Sequence, residues 1–214
     1  MTLKNVIVIG ATGLVGQQVV QALCEDQKIS SVICFVRRPF EFSHPKVNLQ
    51  MVNFMDLDKH QALFENVDAI FCCIGTTMKQ AKSREQFQIV DHYIPKVVAR
   101  IAKDYQVPSY SLVSSVGAKE ASRTFYLSVK GKIENDLKSM GFNQLLIYRP
   151  SLLIGQRSPV RITEVALSFV MTMFSVVIPK RYRPTDSGVL ATLMVENSHR
   201  HLDGIHTFEP DMIT

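Results

Sequence analysis

From Asn5 to Ile9 the chain is almost wholly apolar and rich in β-branched residues, the pattern of a strand covered on both faces in a parallel sheet. Glycines follow at positions 10, 13 and 16, and from Leu14 to Cys24 the apolar residues recur at helical spacing. That unit then repeats. Apolar runs over 31–36, 47–54, 69–74, 109–114 and 144–148 predict five further strands. Intervening stretches near 58–64, over 87–105 and through to Met140 predict helices, with a kink at Pro95 and a stop at Gly141. Strands alternating with helices in this way specify an α/β fold, a doubly wound parallel sheet of the Rossmann-like kind with right-handed crossovers. The 214 residues read as a single domain, in which the part after the sixth strand, from about 155 to 214, forms a small C-terminal lobe covering a substrate.

In such sheets ligands collect at the carboxyl ends of the strands, so the residues just after each run are the candidates for chemistry. Gly10, Ala11, Thr12, Gly13, Leu14, Val15 and Gly16 lie between the first strand and the first helix. Glycine permits the tight turn and the close approach of a ligand to the backbone, and the N–H groups at Leu14 and Val15 then face a pyrophosphate at the helix N-terminus. The spacing is G-x-x-G-x-x-G rather than G-x-G-x-x-G. Where an acidic residue would bind a ribose 2′-hydroxyl, this chain has Arg37 and Arg38, which suit a 2′-phosphate, so NADP(H) is expected in preference to NAD. Asp56 and Leu57, after the third strand, are placed to touch the adenine. Cys73, Ile74, Gly75 and Thr76 end the fourth strand, where a small residue lets ribose and phosphates cross the sheet edge and Thr76 can donate to them. Gly75 serves equally well as a plain strand terminator. Pro150 and Ser151 end the sixth strand, the proline shaping a wall beside the nicotinamide.

Ser114 and Ser115 end the fifth strand, and eleven residues after Ser115 comes Tyr126, followed by Lys130. Four residues apart on a helix, the phenol and the ammonium share one face. A tyrosine hydroxyl, with an ordinary pKa of about 10, becomes a usable proton donor or acceptor near neutrality when a fixed cation favours its phenolate. A serine hydroxyl at the strand end, Ser115 ahead of Ser114, is placed to bond a carbonyl oxygen. Tyr-x-x-x-Lys alone is common in surface helices; the glycine loop and the serines distinguish this one. Neither serine sits in a G-x-S-x-G elbow, which disfavours serine hydrolysis.

Taken together, GATGLVG at 10–16, LVSSVGA at 112–118, YLSVK at 126–130 and YRPSLLIG at 148–155 resemble the short-chain dehydrogenase/reductase superfamily. FCCIGTT at 71–77 and YLSVKGKIE at 126–134 resemble its atypical branch, the Tat-interacting-protein-like and NmrA-like oxidoreductases. The resemblance implies an NADP(H)-binding protein in which Ser115 or Ser114 polarises a substrate carbonyl, Tyr126 exchanges the proton, and Lys130 lowers the tyrosine pKa and holds the nicotinamide ribose. Hydride then passes between the nicotinamide and a small carbonyl or alcohol substrate. Departures occur at Cys72-Cys73-Ile74-Gly75, where many members carry an Asn-Ala-Gly type sequence, and in the short interval between serine and tyrosine. Two alternatives stay open: an NADP(H)-binding redox sensor with little turnover that reports to a protein partner, and isomerase chemistry, which the small lobe makes a poor match for nucleotide sugars.

Composition narrows the partners. Lys plus Arg number 24 against 19 Asp plus Glu, a formal charge of +5 with no long basic block, so nucleic-acid binding is not expected. His199, His201 and His206 lack H-E-x-x-H spacing or cysteine partners, so no metal is expected. The four cysteines, at 24, 34, 72 and 73, show no C-x-x-C pair, and no export-type segment precedes the glycine loop; both point to a cytoplasmic protein. From Val165 to Ile178 there is no charge, yet the run is shorter than the roughly 20 residues of a membrane span. A helix over 161–178 and the Arg181–Pro184 loop are expected to cover the nicotinamide pocket, with interfacial or homodimer contact through the same stretch as the alternative.

Overall fold

A computed structural model describes residues 3–155, 183–200 and 202–213. Seven parallel strands form one sheet in the order β3 (Val47–Met51), β2 (Ser31–Val36), β1 (Asn5–Ile9), β4 (Ala69–Cys72), β5 (Ser109–Val113), β6 (Gln144–Tyr148) and β9 (Gly204–Phe208). The order reverses between β1 and β4. Both are central, and their residues are almost completely buried, which is why they lack the alternation of a half-exposed strand. Register brings Ile9 beside Cys72 and Val113 beside Tyr148, so the strands finish along one edge.

Two apolar layers cover the sheet. On one face α4 (Ile94–Asp104), α5 (Phe125–Ser139) and a 3-10 segment (Phe54–Phe64) pack on Ile7, Ile70, Tyr110 and Ile147. On the other, α1 (Leu14–Glu25) and α6 (Ser187–His199) pack on Val6, Val8, Phe71 and Leu146. The C-terminal stretch is built into the sheet and its layers. α6 closes the second layer and β9 extends the sheet beyond β6, while β7 (Leu153–Ile154) and β8 (Thr185–Asp186) form a separate two-stranded ribbon. The stretch 161–178 and the first half of the Arg181–Pro184 loop lie outside the described residues.

The helix expected over 87–105 is a composite. Short α2 (Met78–Ala81) leads to α3 (Arg84–Gln88), a π turn over Ile89–Tyr93 and then α4. Pro95 stands at the start of α4. It has no N–H, and its ring would clash with the carbonyl of residue 91 in a regular helix, so the turn before it widens until Ile94 N–H bonds Ile89 O. The kink is thus a bulge, and it carries Asp91.

Candidate active site

The loop from Gly10 to Gly13 turns back on itself, with Gly13 N–H bonding Gly10 O at 2.9 Å. Gly10 has φ of +79°, and a Cβ there would stand 2.5 Å from Ile74 N. At Gly16 a Cβ would stand 2.0 Å from Gly10 O. Only glycine allows β1, β4 and α1 to approach this closely. Gly13 is the N-cap of α1, with no side-chain cap and no acidic residue in the first turn, so the N-terminal donors carry no side-chain cap.

In front of that helix lies a cleft of about 350 Å³ along the strand tips. Gly10, Thr12, Gly13, Cys73, Ile74, Gly75, Thr76 and Arg37 all line it, and among the described residues no carboxylate does. The other walls include Phe35 and Val36 of β2, Phe54, and Gln80, Gln86 and Val90 from the segment after β4, none of them among the expected site residues. Arg38 is exposed beside Arg37 but does not line the cleft. Asp56 and Leu57, expected at the adenine, do not line the cleft. Leu57 is buried in the core beneath the sheet, and Asp56 pairs with Lys59 at 3.1 Å in solvent, because the segment after β3 winds into a 3-10 helix that turns Phe54 toward the cleft instead. Leu14 and Val15 stand in the first turn of α1, and neither lines the cleft.

Lys130, 5% exposed, does not itself line the cleft but lies behind Gly75, which does. Its ammonium lies 2.8 Å from Asp91 Oδ1 and donates to Val113 O at 3.4 Å. Asp91, on the π turn, accepts the Thr76 N–H on Oδ2 at 2.9 Å. A Cβ on Gly75 would meet Asp91 Oδ1 at 3.4 Å and Lys130 Nζ at 3.6 Å, so this glycine forms the lid of the ion pair. Burial works against the ammonium, but the charges of Asp91 and Tyr126 outweigh it and hold Lys130 above the ordinary lysine range. Lys130 is therefore not the lone cation expected beneath Tyr126. Asp91 was missed, although it falls on the apolar stripe of Phe87, Ile94, Val98 and Ile101; a carboxylate on a buried face is the signal that identifies it.

Tyr126 sits one turn before Lys130, partly exposed, its ring 5.6 Å from that of Phe87. The two serines part company. Ser114 is buried and donates to Glu134 Oε1 at 2.5 Å, in a network where Arg149 also binds Glu134 at 2.6 Å and Glu209 at 2.8 Å. Ser115 is partly exposed at the strand tip, and among the described residues its hydroxyl has no protein partner. Pro150 is buried, its carbonyl bonding Val116 N–H at 2.9 Å. Ser151 bonds Arg183 O and Thr185, which fastens it to β8 and away from the cleft. The four cysteines are unpaired; burial pushes the Cys72 thiol up to about 11 and Cys73 well above the ordinary thiol range, so they act as packing groups. Among the described residues no cluster suits a metal and no helix is long and apolar enough to cross a membrane.

Comparison with known proteins bears on this geometry. A family described as NAD(P)H-binding matches residues 10–175. Over 210 residues the chain is 32% identical to the protein fmp52, mitochondrial, of Aspergillus fumigatus, covering 94% of this chain and 90% of that one. It is 31% identical over 161 residues to the protein HTATIP2 of Rattus norvegicus, covering 74% of this chain and 66% of that one. Among solved structures, the Bordetella bronchiseptica enzyme WbmH in complex with NAD+ superposes with a TM-score of 0.73 at 15% identity, over 97% of this chain and 75% of that one. The mitochondrial name of the fungal relative overturns the expectation of a cytoplasmic protein, which rested on unpaired cysteines that suit any reducing compartment equally. With its uncapped glycine loop and parallel sheet, the chain belongs to the NAD(P)H-binding family and, within it, to the atypical short-chain dehydrogenase/reductase branch that includes HTATIP2 and FMP52.

Proposed function

We propose that this protein is an NADP(H)-dependent oxidoreductase acting on a small carbonyl or alcohol. The observation that carries the reading is that the Lys130 ammonium, one helical turn after Tyr126, is paired with Asp91 directly behind Gly75 and Thr76, which line the cleft. The cleft residues fit a dinucleotide: uncapped N–H groups of α1 suit the pyrophosphate, Gly10 and Gly75 leave room for close passage, and Arg37 with no opposing carboxylate suits a 2′-phosphate. When bound, the nicotinamide supplies or accepts the hydride.

The chain's own groups do the rest. Ser115 donates its free hydroxyl to the substrate oxygen and fixes the carbonyl. Tyr126 gives that oxygen a proton in reduction and takes it back in oxidation. Lys130, anchored by Asp91 and Val113, hydrogen-bonds ribose hydroxyls and orients the phenol one turn away. Ser114 binds no substrate; through Glu134 it ties β5 to α5, which carries Tyr126. Replacing Tyr126 by Phe should lower kcat by at least about a hundredfold while NADPH affinity stays within a few fold. Turnover retained in that variant contradicts the mechanism.

A further inference from the structure

An adenine ring needs flat apolar walls and a partner for its 6-amino edge, and the cleft supplies the first without the expected second. Phe54 and Val90 are among its walls, but Asp56, expected at the base, pairs with Lys59 in solvent, and among the described residues no carboxylate lines the cleft. The hydrogen-bonding side chains that do line it, the Cys73 thiol aside, are Thr12, Thr76, Arg37, Gln80 and Gln86. Most are accounted for. Thr12 stands in the glycine turn and Thr76 at the tip of β4, where phosphates and ribose are expected, and Arg37 suits the 2′-phosphate. Gln80 belongs with the strand tip as well, its Oε1 3.5 Å from the Thr76 hydroxyl. Gln86 is left, and among the described residues its side-chain amide has no protein partner. Its stem is firmly held: the Gln86 N–H bonds Ser83 Oγ at 3.1 Å at the start of α3, and the next residue, Phe87, is fully buried with its ring 5.7 Å from that of Phe125 and 5.6 Å from that of Tyr126. One residue of α3 thus packs on α5 while its neighbour lines the cleft. An amide carries a donor and an acceptor side by side, the pair that matches the N7 acceptor and N6 donor of adenine.

We propose that Gln86 is a specificity residue for the cofactor: its Oε1 accepts from the adenine 6-amino group while its Nε2 donates to N7. This rests on the reading of the cleft as the NADP(H) site but not on the hydride chemistry. A 6-oxo base offers two acceptors along that edge, and one of them would oppose Oε1 unpaired, so the amide rather than the shape of the cleft distinguishes the two bases.

The test is fluorescence titration with NADPH and with its 6-oxo analogue, reduced nicotinamide hypoxanthine dinucleotide phosphate, both followed by nicotinamide emission. Wild type is expected to bind the analogue about five- to tenfold more weakly than NADPH, the effect of one lost hydrogen bond. Gln86→Leu, which keeps the bulk of the side chain and removes the amide, should weaken NADPH by a similar factor and bind the two nucleotides alike. Gln80→Leu should leave their ratio unchanged. Displacement by 2′,5′-ADP, which carries the base and the 2′-phosphate but no nicotinamide, should show the same loss in Gln86→Leu. Equal affinities for the two nucleotides in wild type, a preference that survives in Gln86→Leu, or one that Gln80→Leu removes instead overturns the proposal. If wild type binds neither nucleotide, the cofactor reading itself fails and this assignment with it. Full turnover in Tyr126→Phe overturns only the proposed chemistry and leaves these titrations standing.

Discussion

Ser114 gives its hydroxyl hydrogen to Glu134 at 2.5 Å inside the protein, while the adjacent Ser115 stands at the strand tip with no protein partner among the described residues. Successive residues of a strand point to opposite sides, so one serine is spent on packing α5 against the sheet and the other is left for a ligand. Their substitutions should separate accordingly. Ser115→Ala should lower kcat by about a hundredfold with little change in unfolding midpoint. Ser114→Ala should cost about 1.5–3 kcal/mol in urea unfolding, the range for a hydrogen bond to a charged group, and leave kcat within a few fold. Steady-state kinetics and urea titration of the two variants check both.

Arg37 lines the cleft and Arg38 does not, so cofactor preference should rest on the first. Arg37→Ala should weaken NADPH by about tenfold or more and leave NADH unchanged; Arg38→Ala should have a smaller effect. Fluorescence of the bound nicotinamide reads both affinities cleanly, because the chain has no tryptophan.

The glycine loop gives a steric prediction. Gly16→Ala would place a Cβ 2.0 Å from Gly10 O, and neither backbone can yield without parting α1 from the loop. Dinucleotide affinity should fall by more than tenfold together with the melting temperature. Gly141→Ala, with open space around it but φ of +68°, should lower stability only and leave affinity intact.

Acid stability follows from Asp136. Partial burial opposes its charge, but Lys96 at 3.0 Å and His92 at 2.6 Å outweigh this and hold the carboxyl below the usual carboxylate range. A depressed pKa in the folded state stabilises above the ordinary carboxylate pKa of about 3.9, and that stability is lost as pH falls through the folded value. The stability gap between wild type and Asp136→Asn should therefore be full at neutral pH and close in acid, as urea unfolding across pH will show.

How much of this was legible in the residues differs from element to element. The run Asn5–Ile9, the glycines after it and the strand at Gln144–Tyr148 are local signals, and the fold matches them residue for residue. β9 and α6 were not anticipated, since a short edge strand and a helix of low amphipathicity become recognisable only against the surface they cover. The site followed the same division. Residues fixed by backbone position, such as Gly10 and Thr76, line the cleft as expected. Those whose role depends on where a side chain turns were harder to place: Leu57 went to the core, Ser114 to Glu134, and Asp91, on the helix expected over 87–105, was not singled out.

The most direct measurement is transfer of label from deuterated NADPH. Protein mixed with NADPH bearing deuterium on the transferring face of C4 and a panel of small aldehydes and ketones should place deuterium on the carbonyl carbon of at least one alcohol product, and Tyr126→Phe should place none at comparable times. Tight NADPH binding with no label in any product would contradict the account.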